Sequence, residues 1–272
     1  MLFLTTEQHQ EVLSRLVTLG KSRADGLPFH PAGVEYTSLM VCFLLHNLAA
    51  AETLLRVGSS FGNEWYPVTV AYAIARTMFE TDVTAHYITQ APAERAHQYS
   101  GFSAILDKRQ MDACQEHRNS SDPQWRGAMD LVWQHQWAPR QKEVLSRFDA
   151  AAPQFTRVNR HGKAVIFPNW TGKPLRQVAT EVGHLEAYDI FYAELSSFAH
   201  ADVHLADRFL RRRPDGPIWS QRAEDGDVGN VFRHAASFLD CYLTLFGGQF
   251  KTWTKAHIQA CWPTTASPPA CA

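Results

Sequence analysis

Apolar positions recur along most of the chain at spacings of three and four residues, the period at which a helix keeps one face turned towards a core. The first such stretch follows Thr5, which has Gln8 three residues later. That pairing reads as a capping box, and the helix it opens runs to about Gly20. Residues 21–33 are rich in turn formers and read as a loop. From Tyr36 or Thr37 to about Val57 the sequence is apolar on almost every side, which marks a helix enclosed by others. After a second loop, Pro67 suits the first turn of a helix reaching about Thr89, and Pro92 opens another reaching about Arg118. Asp122-Pro123 starts a fifth, which Pro139 should break or kink before residues 140–148 continue it.

The strand-like run is KAVIFP at residues 163–168. It reads as a loop or a short hairpin arm, because no partner strand is evident. Lys173-Pro174 opens a short helix to about Gly183, and residues 186–212 read as one long helix. RRRPDGPIWSQRAEDGD reads as an exposed loop, and residues 227–250 as the last long helix. The expected architecture is all-α: a single bundle of about seven or eight helices over residues 1–262, with an irregular loop or small hairpin near 151–171. Residues 263–272 are expected to be a disordered tail.

Composition narrows the classes. The chain has 272 residues, 45% hydrophobic and 19% charged, enough to bury a sizeable core without staples. Its formal net charge of −1 supplies no field to steer it towards nucleic acid or an anionic membrane. Five scattered cysteines without a C-x-x-C pair argue against a disulfide framework and a cysteine zinc site, and favour a reducing, cytoplasmic setting. The most apolar stretch, residues 39–55, carries His46, Asn47 and Glu52, each costly in lipid. It is expected to be a core helix, with no membrane partner.

Three groups of polar residues carry candidate chemistry. Arg76 and Glu80 stand four apart in an apolar helix, so both lie on one face. They are either a structural ion pair or an anion-binding arginine oriented by a carboxylate. Tyr192, Ser196, His200 and His204 recur every fourth residue and form a polar ribbon on an otherwise apolar helix. His200 could act as general acid or base, and Ser196 as a nucleophile beside it; a hydrogen-bonded packing contact is the plainer alternative. His200 and His204 have the spacing that lets two imidazoles share an ion, with Glu80 as a further ligand, but the zinc-protease motif is absent. The basic run Arg211, Arg212, Arg213 reads as a solvated helix end.

Three blocks in order, A-I-A-R-T-M-F-E around Arg76 and Glu80, N-W-T-G-K-P-L-R around Trp170, and Y-x3-Y-x3-S-x3-H at Tyr188, Tyr192, Ser196 and His200, resemble a bacterial domain-of-unknown-function family, number 5677. The resemblance implies a helical bacterial protein whose polar residues converge, and it supplies no activity. Its helical character invites comparison, at the level of fold alone, with helical defence proteins that cleave nucleotides or RNA.

The sharpest functional expectation is an inter-helix site for a phosphate-bearing small molecule or RNA. Arg76, Tyr192 and Trp170 would bind, while His200, Glu80 and Ser196 would act in hydrolysis during bacterial stress or phage defence. No cofactor is expected, with a divalent metal as the weaker alternative, and a homo-oligomer is compatible with the sequence. The competing expectations are a non-enzymatic binding module with a buried polar network, and a metal-dependent hydrolase built on His200 and His204.

Overall fold

A computed structural model describes residues 4–23, 27–58, 65–199, 210–213, 216–219 and 225–263. The described residues are all-α apart from two short hairpins. They divide into two compact units: residues 1–92 with 175–272, and residues 93–174.

The first unit is built on four long helices: α1 (Thr6–Lys21), α2 (Val34–Gly58), α3 (Trp65–Thr89) and α10 (Asp225–Phe250). The capping box that opens α1 is present. Thr5 accepts from the Gln8 backbone, and the Gln8 side chain accepts from the Thr5 backbone. Helix α2 is long and apolar enough to cross a membrane by length and composition. It packs against α1, α3 and α10, and buries Met40, Leu44, Ala51 and Leu54 completely. Phe79 of α3 and Phe232, Tyr242 and Phe246 of α10 are likewise completely buried. Burying one such side chain contributes roughly 1.5–3 kcal/mol, so this layer dominates the unit's stability.

Between α3 and α10 in sequence, this unit contains α7 (Leu175–Glu181), α8 (Leu185–Ala187), a π-helical turn (Tyr188–Tyr192) and α9 (Ala193–Ala199). The long helix expected over 186–212 therefore contains a widened turn. Its expected end is a strand: Leu210–Arg213 pairs antiparallel with Gly216–Trp219, where a loop was expected. Arg211, Arg212 and Arg213 lie on that strand and not at a helix end. Cross-strand pairing here overrides the helix propensity of the arginine run. A final short helix, α11 (Lys255–Gln259), has its own cap from Thr254 and His257. The tail, 264–272, lies outside the described residues.

The second unit contains α4 (Pro92–His117), α5 (Pro123–Val132) and α6 (Gln141–Ala151). Asp122 caps α5 by accepting from the Gln124 and Trp125 backbone amides. Pro139 interrupts the chain as expected: a π-helical turn (Trp133–Trp137) and a 3-10 turn (Ala138–Arg140) separate α5 from α6. KAVIFP does find a partner. Ala164–Ile166 pairs antiparallel with Thr156–Val158, a strand too short to register in the sequence pattern. Met111, Cys114, Trp137 and Val144 form one small core of this unit, and Phe102, Ile105 and Phe155 another.

Cys42, Cys114 and Cys261 are free, as expected of unpaired thiols. Cys241 departs from that expectation, being disulfide-bonded.

Candidate functional site

Helix α3 presents Tyr72, Arg76 and Glu80 at successive four-residue steps, so the three lie on one stripe of the helix. Opposite it lies Tyr192, the last residue of the π turn. Arg76 Nε donates to Glu80 Oε1 at 2.8 Å, and Arg76 NH2 donates to the Tyr192 hydroxyl at 2.9 Å. Tyr192 donates in turn to Glu80 Oε1 at 2.9 Å, which closes a three-membered ring of hydrogen bonds. The Arg76 guanidinium also sits 5.1 Å from the centre of the Tyr192 ring, within cation–π range. The Arg76 side chain is 19% exposed and that of Glu80 37%, so the ring of bonds sits at the edge of the core.

The electrostatics follow from that position. Burial works against the Arg76 charge, but the Glu80 carboxylate and Tyr192 outweigh it, and the guanidinium pKa is raised. Burial, and then the Glu80 carboxylate, push the Tyr192 phenol up to about 12. Tyr192 is therefore a neutral hydrogen-bond donor at any physiological pH.

Tyr188 stacks on Tyr192 with ring centres 4.7 Å apart, and Phe79 packs on both. The widened turn between the two tyrosines places them one above the other. Ser196, the next residue of the expected ribbon, is half-buried and makes no side-chain hydrogen bond among the described residues. His200 and His204 lie outside the described residues. Trp170 belongs to the second unit, where it meets Tyr99 edge-on at 5.2 Å and packs on the Phe102–Ile105–Phe155 cluster. Arg76, Glu80 and Tyr192 are thus brought together as the sequence suggested, and Ser196 is not tied to them.

A second polar cluster on α3 went unread in the sequence. Asp82, 1% exposed, holds a carboxylate inside the core. His184 Nε2 lies 3.1 Å from Asp82 Oδ2, and His86 Nδ1 lies 3.2 Å from Asp82 Oδ1. His184 Nδ1 faces the Val182 carbonyl at 3.0 Å. The turn that places His184 is a helix C-cap. Gly183 takes φ +77, a left-handed conformation that glycine adopts without penalty, and the His184 amide donates back to the Ala179 carbonyl at 2.7 Å. Burial opposes ionisation of Asp82, but the two histidines prevail and its pKa is lowered. Burial likewise opposes the charge on His86, the Asp82 carboxylate prevails, and its pKa is raised. Asp82 and His86 are one turn apart in T-D-V-T-A-H, a signal available in the sequence; His184 is 102 positions from Asp82 and is not.

The fold and these two clusters define an all-α protein in which one core helix, α3, carries two separate polar assemblies. The chain belongs to a family of unknown function, DUF5677, whose profile matches residues 63–217. That match runs from just before α3 into the last strand and includes both assemblies. No curated protein and no solved structure matches the chain.

Proposed function

We propose that the Arg76–Glu80–Tyr192 assembly is the binding determinant for a phosphate-bearing ligand. The observation behind this reading is the state of Arg76. It is a permanent cation, held in one orientation by a carboxylate and a phenol, at the edge of the core where solvent still reaches it. A planar guanidinium fixed in this way is the residue type suited to phosphate oxygens. Glu80 and Tyr192 then act as positioning residues, and the entropy of ordering the arginine is met before a ligand arrives. In the finer form of this proposal the ligand is a nucleotide or RNA, His200 serves as general acid or base in its hydrolysis, and the setting is bacterial stress or phage defence.

The closure of the hydrogen-bond ring favours a second reading. Three groups that satisfy one another make a sound structural lock between α3 and the Tyr188–Tyr192 turn, in a protein that works by binding through its surface.

Thermal unfolding of the full chain with inorganic phosphate, a nucleoside triphosphate and a short single-stranded RNA separates the two. The ligand reading expects at least one probe to raise the melting temperature in a salt-dependent way, and Arg76→Gln to abolish that rise while remaining folded. No rise with any probe, together with equal destabilisation by Arg76→Gln and Glu80→Gln, leaves the structural lock.

A further inference from the structure

The Asp82–His86–His184 cluster has the donor chemistry and spacing of a metal site. One ligating atom from each residue lies within 4.8 Å of the other two. Three donors about 2.1 Å from a tetrahedral cation stand roughly 3.4 Å from one another. The His184 Nε2–Asp82 Oδ2 separation is 3.1 Å and the His86 Nδ1–Asp82 Oδ1 separation is 3.2 Å. Each histidine is therefore nearly at the distance a bound ion would impose from one oxygen of the carboxylate, and all three donors lie within 4.8 Å of one another.

Second-sphere support is also in place. A metal-binding imidazole commonly donates its remote N–H to a backbone carbonyl, which fixes the tautomer and aims the other nitrogen. His184 does this: Nδ1 faces the Val182 carbonyl at 3.0 Å, so Nδ1 carries the hydrogen and Nε2 is left for the carboxylate. Something positive must lie between that nitrogen and Asp82, either a proton or a metal ion. Asp82 Oδ1 is buried and accepts no hydrogen bond; His86 Nδ1 lies 3.2 Å from it but donates to the Asp82 backbone carbonyl at 3.0 Å, a bond that an ion at Nδ1 would replace. A buried oxygen without a hydrogen bond is costly, and a cation is one means of satisfying it.

We infer that Asp82, His86 and His184 bind a divalent first-row transition-metal ion, with zinc the natural probe. Two imidazoles and one carboxylate suit zinc and its neighbours and not magnesium or calcium, which prefer oxygen ligands. Three protein donors leave a fourth position on the ion for water or a ligand atom. His86, with a side chain 16% exposed, is the edge of the cluster nearest solvent. Binding displaces the proton that otherwise lies between His184 Nε2 and the Asp82 carboxylate, so ion uptake releases a proton. These residues are distinct from His200 and His204, and the inference does not rest on the phosphate reading.

The test uses the full chain, stripped with a chelator and titrated with zinc chloride while proton release and melting temperature are followed. The expected result is one tightly held zinc per chain, proton release on binding and a rise in melting temperature. His86→Ala, which empties a partly exposed position, should weaken zinc binding by at least about 100-fold, the upper end of the loss produced by removing an outer-sphere partner alone. His184→Gln should do the same. Because either variant could unfold, cobalt(II) titration of the unaltered chain is the second measurement, and a visible absorption spectrum of a low-coordinate nitrogen and oxygen site is expected. Failure of zinc to bind at one per chain, an octahedral aquo-like cobalt spectrum, or unchanged zinc affinity in folded His86→Ala would each overturn the inference and leave a buried proton-bridged triad.

Discussion

Arg76 NH2 lies 2.9 Å from the hydroxyl of Tyr192, a residue 116 positions further along the chain. That hydroxyl also donates to Glu80 Oε1 at 2.9 Å, so one oxygen atom is acceptor for the cation and donor to the anion. Tyr192 thus ties the ion pair on α3 to the Tyr188–Tyr192 turn. Its removal leaves the charges paired along α3 but no longer tied to the Tyr188–Tyr192 turn.

Tyr192→Phe isolates that link, because the ring remains to stack on Tyr188 and pack on Phe79. A hydrogen bond to a charged group is worth about 1.5–3 kcal/mol when buried. Glu80 is more than a third exposed, so water replaces part of the interaction and the expected loss is about 1–2 kcal/mol. Urea unfolding should show a lower midpoint with an unchanged slope. An unchanged midpoint would mean that water substitutes fully for the phenol.

His234 should contribute to acid sensitivity. Its ring is buried between Phe191, at 4.3 Å, and Phe238, and Nε2 has no hydrogen-bond partner among the described residues. Burial, and then the charge of Arg233, lower its pKa to about 3. The unfolded chain binds this proton near pH 6.5 and the folded protein does not. The stability contributed by neutral His234 is thus complete above pH 6.5 and is lost as pH falls towards 3, at up to about 1.4 kcal/mol per pH unit. His86 has the opposite sign: its raised pKa gives stability that is complete below 6.5 and lost as pH rises past its folded value. His234→Leu should flatten the stability curve between pH 6.5 and 3 and cost little at pH 7. Retention of the wild-type acid slope would place the acid-labile group elsewhere.

The features legible in the sequence are the local ones. Thr5 with Gln8, Asp122 before Pro123, and Pro139 each act within one turn of the backbone, and each does what its residue type predicts. Arg76 and Glu80 were visible because two charges at a four-residue step in an apolar helix require a partner. The rest depends on long-range placement. Thr156–Val158 is a strand only because Ala164–Ile166 lies beside it, and Leu210–Arg213 only because of Gly216–Trp219. The π turns carry no residue signature. Asp82 and His86 share one face of α3 by their spacing, but only the Gly183 turn brings His184 against them.

Lys251 offers a direct gain in stability. It follows α10 at φ 56, a left-handed conformation that a side chain disfavours and glycine adopts freely. Its amide donates to the Gly247 carbonyl at 2.9 Å, so the conformation is held by the helix end. Lys251→Gly should stabilise the protein by about 0.5–1 kcal/mol, with the usual entropic cost of glycine setting the lower end. A lower denaturation midpoint would mean that the lysine side chain makes a contact worth more than the backbone strain.

Gly247 and Gly248 are adjacent in α10, yet alanine should have opposite effects at the two positions. Alanine in a helix interior normally gains about 0.5–1 kcal/mol over glycine. At Gly248 an added methyl meets nothing within 4 Å, so Gly248→Ala should show that gain. At Gly247 the methyl would lie 2.6 Å from Trp253 Cδ1, 2.7 Å from Nε1 and 2.8 Å from the Trp253 carbonyl oxygen. The indole cannot easily yield, because it is 5% exposed and Nε1 donates to the Leu243 carbonyl at 2.6 Å. Nor can the carbonyl, which is backbone. Overpacking costs about 1–3 kcal/mol, and displacing the indole strips the buried Trp253 N–H of its acceptor. Gly247→Ala should therefore destabilise by about 2–3 kcal/mol, measured by urea unfolding beside Gly248→Ala. If both variants prove more stable than the parent, Trp253 is free to move and is not the clamp that fixes the end of α10.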